Sequence, residues 1–171
     1  KKPVSTVADL QGLVVRVPKN EIMIETYKAW GVDPTPMAWS ETFAALQQGV
    51  VDGQDNPYMT VNAMKFYEVQ KNIALTGHIV DHLNTVVSKS VWQGLSDADR
   101  QIFTEVMMEA AERGTKIVEE REAKLADDFR AKGLNVTEVD KADFEKNVLE
   151  KVPFEDFGYE KADWEAIRAV Q

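Results

Sequence analysis

The sequence predicts an α/β fold, and three observations lead to this prediction. A run of mostly β-branched apolar residues at 13–17 suits a buried strand. Apolar residues at helical spacing follow from Asn20, a suitable cap, to Trp30, and Gly31 is placed to end that helix. Strand and helix patterns continue to alternate as far as Gly53, which is typical of α/β domains and not of all-α ones.

The predicted first strand carries one charged residue, Arg16, close to its carboxyl end. Pro18 ends the strand just beyond it, because proline has no amide hydrogen to pair. Ligands of open α/β sheets lie beyond the carboxyl ends of the strands, and a guanidinium matches a carboxylate in a bidentate pair. Arg16 is therefore a candidate contact for a small organic anion. From the strand alone, a structural ion pair with a carboxylate of the protein is equally open.

The stretch at 34–57 combines an extended piece, a helix and a polar turn. Its prolines favour extended backbone at the start. Ser40 is expected to cap a helix that ends at Gly49. Residues 50–51 predict a short strand, and residues 53–57 predict a turn. We interpret the whole stretch as one half of a cleft that holds a small organic anion.

Three further side chains are candidates for contacts with a ligand. Trp39 stands just before the predicted helix cap, although a single aromatic residue more often packs in a core. Asn56 precedes a proline, so its amide is free to bond a ligand or a neighbouring backbone group. Tyr58 follows that proline. Two interpretations of its side chain are equally open: the ring projects into the cleft, or it packs against the protein.

The longest predicted element is a helix that begins at the cap Ser96 and ends before Gly133. At about 1.5 Å per residue it would reach about 54 Å, which exceeds the width of a small domain. Its apolar stripe is dense near the start, thins over 114–124 and returns at Leu125 and Phe129. This pattern favours a helix that bridges two lobes over a coiled coil. The other elements predicted after residue 56 are strands at 72–75, 83–87 and 134–139 and helices at 57–69, 140–152 and from Lys161.

Length and composition narrow the classes of function. The 171 residues are 44% hydrophobic, enough for the core of one domain or one and a half lobes. With 20 basic against 29 acidic residues, the net charge of −9 argues against nucleic acid as a partner. The chain has no cysteine and no apolar run of about 18 residues, which excludes disulfides and predicts no membrane-spanning helix. It shows no initiator methionine or signal peptide, so its abrupt start suggests a fragment or a processed piece.

Three motifs occur in a recognisable order: ADLQGLVVRVP, PTPMAWSETFAALQQGVVDGQDNP and YEVQKNIALTGH. In order and spacing they closely resemble the solute-binding proteins of TRAP transporters, the DctP-like family. The resemblance covers essentially the whole chain but part of the family's length, since members usually carry about another 120 residues before the ADLxG motif. It implies an α/β, periplasmic-binding-protein-like fold with a mixed sheet and a long helix that spans two lobes.

The resemblance also implies roles for individual residues. Arg16 of the RVP motif would pair with the substrate carboxylate, Asn56 of the GQDNP motif would contact the ligand, and Trp39 would pack against it. Many members have phenylalanine in place of Trp39 and glutamate in place of Asp55. The tryptophan is expected to alter the size of the pocket or the class of substrate.

The same resemblance divides the chain into three parts. Residues 1–80 would form the ligand-binding second lobe. Residues 81–115 would contain a crossover strand and the start of the spanning helix, and would belong partly to the first lobe. Residues 116–171 would complete that helix and pack back on the lobes. The N-terminal half of the family would be absent.

The function implied is that of a periplasmic binding protein without enzyme activity. It would capture a small carboxylate in the cleft between its lobes and deliver it to the membrane permease subunits of a TRAP transporter. No cofactor, metal or catalytic residue is expected. Apolar surface left exposed by an absent first lobe predicts self-association or a bound companion fragment.

Two alternatives belong to other classes of protein. His78, Asp81 and His82 form an HxxDH pattern, which on a helix would place both histidines on one face and suggest a metal-dependent hydrolase. No third metal ligand is apparent, and a turn histidine near the cleft fits the pattern better. The long helix at 97–132 also suggests a helical interaction protein, although its broken apolar stripe argues against this.

Overall fold

The first third of the chain forms a three-stranded parallel sheet in the order β2–β1–β3. The computed structural model describes residues 1–170, with the backbone alone at 154. The strands at 14–17 and 33–36 are each followed by a helix that returns the chain to the next parallel strand of this sheet. These first elements are β1 (Val14–Val17), α1 (Glu21–Ala29), β2 (Asp33–Pro36), α2 (Thr42–Gln48) and β3 (Gly53–Gln54).

The remaining strands form a separate parallel pair, β4 with β5. The predicted strand at 72–75 is confirmed residue for residue. The helices predicted to begin after Asp140 and at Lys161 are also found. These later elements are α3 (Tyr58–Ala63), β4 (Asn72–Leu75), α4 (Lys89–Gly94), α5 (Asp97–Ala131), β5 (Asn135–Glu138), α6 (Lys141–Lys151) and α7 (Lys161–Arg168).

The turn between α1 and β2 shows how the local sequence sets the first crossover. The side chain of Asn20 accepts a hydrogen bond from the Met23 amide and caps α1 as predicted. Gly31 has a φ of 76°, and a Cβ there would overlap the side-chain amide of Gln11. That amide donates to the Trp30 carbonyl at 3.0 Å. The left-handed backbone therefore favours glycine, and any larger residue would also displace the Gln11 amide from the Trp30 carbonyl.

Helix α5 is 35 residues long and is capped by Ser96, as predicted. Only its carboxyl-terminal part is buried, through Leu125 and Phe129. Nearer its amino end, Ile102 and Val106 remain more than half exposed. The helix packs on α3 and β5.

Two clusters of buried side chains form the core, one on each side of the first sheet's central strand. The first joins β1 and α1 to α6, where the buried Trp30 indole donates to the Phe144 carbonyl at 2.9 Å. The second joins α2 and α3 to the end of α5, with Phe66 and Phe129 almost fully enclosed. Segments distant in sequence thus hold the first sheet in place.

Several sequence-based predictions differ from the structure. Ser40 does not cap α2, because residues 39–41 already form a 3-10 turn and α2 begins at Thr42. The predicted strand at 50–51 lies three residues later, at β3, because the Asp52 side chain accepts the Val14 amide of β1 and the strand pairing begins only after Asp52. The predicted helix at 57–69 ends at Ala63, where a left-handed Lys65 separates it from a 3-10 turn.

Two predictions about the sheets were also wrong. Residues 83–87 form no strand, and the Leu83 side chain is 96% exposed. A strand exists only when its backbone groups are paired, and no strand among residues 1–170 lies beside this segment. The mixed sheet is not found either, since all three strand pairings among the described residues are parallel.

Candidate functional site

The candidate site lies where the carboxyl ends of β1, β2 and β3 meet. Arg16 of the central strand is opposite Thr35 of β2 and Gln54 of β3. Asp55 and Asn56 follow directly after β3. This edge is the usual ligand position of parallel α/β sheets, because the polar loop residues of neighbouring strands converge there.

Arg16 is only 5% exposed, yet its guanidinium is not fully engaged. Its Nε and Nη2 atoms donate to the Met37 carbonyl at 3.1 and 2.9 Å. Among the described residues no hydrogen bond uses Nη1. Burial lowers the pKa of Arg16 and nearby Asp55 partly offsets this, but a guanidinium remains charged at neutral pH. The Nη1 and Nη2 end of the group is therefore positioned for an anion.

Asp55 links Arg16 to two side chains from other elements. The hydroxyl of the buried Tyr27 of α1 interacts with the Asp55 carboxylate, and this interaction contributes to the pKa shifts of both groups. His78, from the segment after β4, places its Nε2 3.6 Å from Asp55 Oδ2. At that distance the two groups form an ion pair when His78 is protonated, but they are too far apart for a hydrogen bond. Arg16, Asp55 and His78, with Tyr27 attached, define a polar cluster that we call the Asp55 cluster.

Burial controls the protonation of the Asp55 cluster. It raises the pKa of Asp55, an effect opposed by His78, by the Tyr27 hydrogen bond and by Arg16. Burial lowers the pKa of His78 below its usual 6.5, and Asp55 opposes this shift. Burial also raises the pKa of Tyr27, and Asp55 adds to it. At neutral pH His78 is therefore uncharged, while Tyr27 keeps its proton.

The other predicted site residues take different positions around Arg16. Trp39 is 42% exposed, and its ring lies 5.7 Å from the Arg16 guanidinium carbon. Asn56 is partly buried and donates its amide to the Gln54 side chain. Tyr58 packs at the second core cluster. Burial raises the pKa of Tyr58, and the negative charges of Glu122, Glu138 and Asp55 raise it further.

The structure therefore gathers Arg16, Trp39 and Asn56 at one edge, with Tyr58 beside them in the core. Sequence reasoning missed the partnership of Asp55 with Tyr27 and His78. A histidine near the cleft was expected, but nothing local indicates that it faces a carboxylate 23 positions earlier in the chain. The contact depends on how the segment after β4 passes the end of β3.

The HxxDH pattern does not form the metal site of the hydrolase hypothesis. His78, Asp81 and His82 lie in a segment without regular secondary structure, so helical spacing does not apply. The Asp81 carboxylate accepts the backbone amide of His82. Among residues 1–170, no three His, Cys, Asp or Glu side chains are grouped to hold a metal ion.

Comparison with known proteins assigns the chain to a class. Residues 1–155 match the family of bacterial extracellular solute-binding proteins, family 7, also called DctP. The chain belongs to this family, which comprises solute-binding proteins and not enzymes. Membership confirms the resemblance predicted from the motifs and agrees with the expected periplasmic location. Within residues 1–170, no helix has both the length and the apolar character needed to cross a membrane.

Individual relatives agree with this assignment. The chain is 43% identical to the sialic acid-binding periplasmic protein SiaP of Vibrio cholerae over 136 residues, which are 80% of this chain and 42% of that protein. A TRAP periplasmic solute-binding protein of Roseobacter denitrificans with bound 3-deoxy-D-manno-oct-2-ulosonic acid is 40% identical, with a TM-score of 0.80 over 94% of this chain and 51% of that one.

A third relative matches along the full length of this chain. A TRAP periplasmic solute-binding protein of Polaromonas, bound to D-erythronate, is 36% identical with a TM-score of 0.82. The match covers 100% of this chain and 57% of that protein. The chain thus spans about half the length of the relatives it matches.

Proposed function

We propose that the chain forms the arginine-bearing half of a binding site for a small organic acid, within a TRAP-type solute-binding protein. The observation that carries this proposal is Arg16, a buried and charged guanidinium at the carboxyl edge of a parallel sheet, whose Nη1 makes no hydrogen bond with the part of the chain that the structure describes. A buried cation is costly unless an anion compensates it. Asp55 compensates Arg16 from one side, which leaves its outer end for the ligand carboxylate.

Each neighbouring side chain has a distinct task in this proposal. Arg16 supplies the charge and orients the carboxylate in a bidentate pair. Trp39 offers half-exposed apolar surface beside that charge. Asn56 adds a directional hydrogen bond, for which it exchanges its contact with Gln54. Tyr58 supports the loop from the core side.

Closure of two lobes would trap the acid between this edge and groups outside residues 1–171. Contacts made only in the closed form bias such a hinge. The loaded form would then deliver its ligand to the permease subunits of a TRAP transporter. Among the acids named for relatives, sialic acid and 3-deoxy-D-manno-oct-2-ulosonic acid accompany the higher identities, so sugar acids are the first ligands to test.

The test is a thermal-shift screen of the complete natural polypeptide that contains this chain. The panel is sialic acid, 3-deoxy-D-manno-oct-2-ulosonic acid, D-erythronate and succinate. A ligand at about 100 times its Kd should add about 2.7 kcal/mol to the free energy of unfolding. Arg16→Ala should remove this shift, because loss of a buried charge partner costs roughly 2–5 kcal/mol of binding.

Arg113→Ala is the matched control, since Arg113 is an exposed arginine on α5. It should respond to the acids as the wild-type protein does. If no acid raises the Tm, or if Arg16→Ala responds as strongly as the wild type, then Arg16 is a structural ion-pair residue and the proposed function is wrong.

A further inference from the structure

The Asp55 cluster stands directly behind the proposed anion site and is not required to hold the anion itself. We propose that binding of an organic anion at Arg16 draws a proton onto the Asp55–His78 pair, so that the protein captures its ligand together with a proton. This inference rests on the proposed function of Arg16. Its basis is the position of Asp55, which lies 3.6 Å from His78 Nε2 and is also influenced by the charge of Arg16.

The charge balance of the cluster explains the direction of proton movement. Without ligand, the positive charge of Arg16 stabilises the Asp55 carboxylate. A ligand carboxylate paired with Arg16 takes up much of that stabilisation and adds a second negative charge to a poorly solvated region. Like charges in one buried site favour protonation of a member of the site. The pair therefore gains proton affinity when the anion arrives.

His78 is built to accept this proton. Its Nδ1 lies 2.8 Å from the Thr76 hydroxyl, which can donate or accept. Its Nε2 is buried and has no hydrogen-bond partner among the described residues, while it faces the Asp55 carboxylate. Protonation puts hydrogen on both nitrogens and turns the 3.6 Å contact into an ion pair.

Other ionisable groups near His78 do not replace Asp55 as its partner. From α1, Tyr27 and Trp30 pack their rings at 6.1 and 5.1 Å, and Tyr27 stays neutral. From α6, the Lys141 ammonium lies beside Gly77 and Glu145 pairs with Arg168. Among the described residues, Asp55 is the charged group that raises the pKa of His78, against the larger lowering effect of burial.

The sign of the pH dependence follows from these contacts. The pKa of His78 is lowered in the free protein and rises in the complex. At a pH between these two pKa values, His78 is mostly unprotonated in the free protein and mostly protonated in the complex. Binding therefore takes up a proton there, and affinity increases as the pH falls, by at most about tenfold per pH unit for one proton.

The experiment is isothermal titration calorimetry of the complete polypeptide at about pH 6 with the four acids of the thermal-shift panel. Titrations in buffers of low and high ionisation enthalpy give the number of protons taken up. We expect uptake with each acid that binds. His78→Gln should abolish the uptake, whereas His82→Gln should retain it, since His82 is the other histidine of the chain and is exposed.

A second measurement does not depend on the folding of a variant. NMR titration of His78 in the wild-type protein should show its pKa rising when a bound acid is added. Binding that Arg16→Ala abolishes, but without proton uptake or a rise at His78, would overturn this inference and leave the proposed function intact. If none of the four acids binds, both fail.

Discussion

Two interpretations of Trp39, as a ligand contact and as a core residue, predict different exposures of its ring. Its ring packs at 5.7 Å from the Phe66 ring and equally near the Arg16 guanidinium, yet 42% of it is exposed. A tryptophan that served only the core would be more deeply enclosed. Its exposed face instead extends the surface around the charge, as expected of a ligand contact.

We predict that Trp39→Ala weakens binding of an acid that Arg16 recognises by roughly two- to fivefold, since burial of about 20–40 Å² of the exposed ring against the ligand would contribute about 0.5–1 kcal/mol. Trp39→Phe should retain most of the affinity. Trp92→Ala is the matched control, because Trp92 makes a similar contact with Arg100 at 5.9 Å in another part of the chain. Calorimetric titration measures all three variants. An unchanged Kd for Trp39→Ala would make Trp39 a packing residue.

Individual site residues differ in how far the sequence determines them. Arg16 was predictable because a charge inside a β-branched run just before a proline identifies a strand end. The contact between Asp55 and His78 was not, because His78 follows β4, which pairs with β5 in a separate sheet and not with the strands that hold Arg16 and Asp55. Local patterns carry no information about that path.

At the scale of elements, α6 shows how a cap connects local and distant structure. The Asp140 carboxylate accepts the amides of Ala142 and Asp143, and its own amide donates to the Ser5 carbonyl. Helix α6 in turn packs on α1 and covers the first core cluster. Loss of the cap should therefore weaken the attachment of α6 to the lobe.

We predict that Asp140→Ala lowers the free energy of unfolding by about 1 kcal/mol, the usual cost of removing a helix cap. Glu150→Ala, on the exposed surface of the same helix, should change it by less than about 0.5 kcal/mol. Urea denaturation followed by circular dichroism provides both values. Equal effects of the two substitutions would show that the cap does not stabilise α6.

Elements with strong local signals were predicted well, and those that depend on distant partners were not. Helix α5 followed from its cap at Ser96 and from a long stretch without prolines, and β4 from a short apolar run. The segment at 83–87 has equally good strand residues, but β propensity reflects packing on neighbouring strands more than an intrinsic preference. Without such a neighbour among residues 1–170, it forms no strand and is mostly exposed.

At the scale of the whole molecule, residues 1–80 and the carboxyl-terminal third form one body. The pairing of β4 with β5, the packing of α6 on α1 and the contact of α3 with α5 all join these two regions. Residues 81–115 contribute no fully buried side chain to either core cluster. The division of the chain at these positions remains a prediction that agrees with the pattern of burial.

Apolar side chains between residues 80 and 106 are largely exposed, and we call this set of side chains the 80–106 face. Val80, Leu83 and Val86 are each more than 80% exposed, and Ile102 and Val106 are nearly 60% exposed. Soluble proteins seldom leave so many apolar side chains of one segment in water unless another surface covers them. We propose that either a second copy of the chain or a companion segment covers the 80–106 face.

The polypeptide of residues 1–171 alone should therefore self-associate. Each buried apolar side chain of this size contributes roughly 1.5–3 kcal/mol, so a few of them suffice for a dimer at micromolar concentration. We predict that multi-angle light scattering gives a mass above the 19.3 kDa of one chain.

The double substitution Leu83→Glu and Val106→Glu should restore the mass of a single chain, because each glutamate would need to be buried in the contact. Ile167→Glu is the control, since Ile167 is 72% exposed on α7 and outside the 80–106 face, and it should leave the association unchanged. A monomer at all concentrations would mean that the 80–106 face tolerates water.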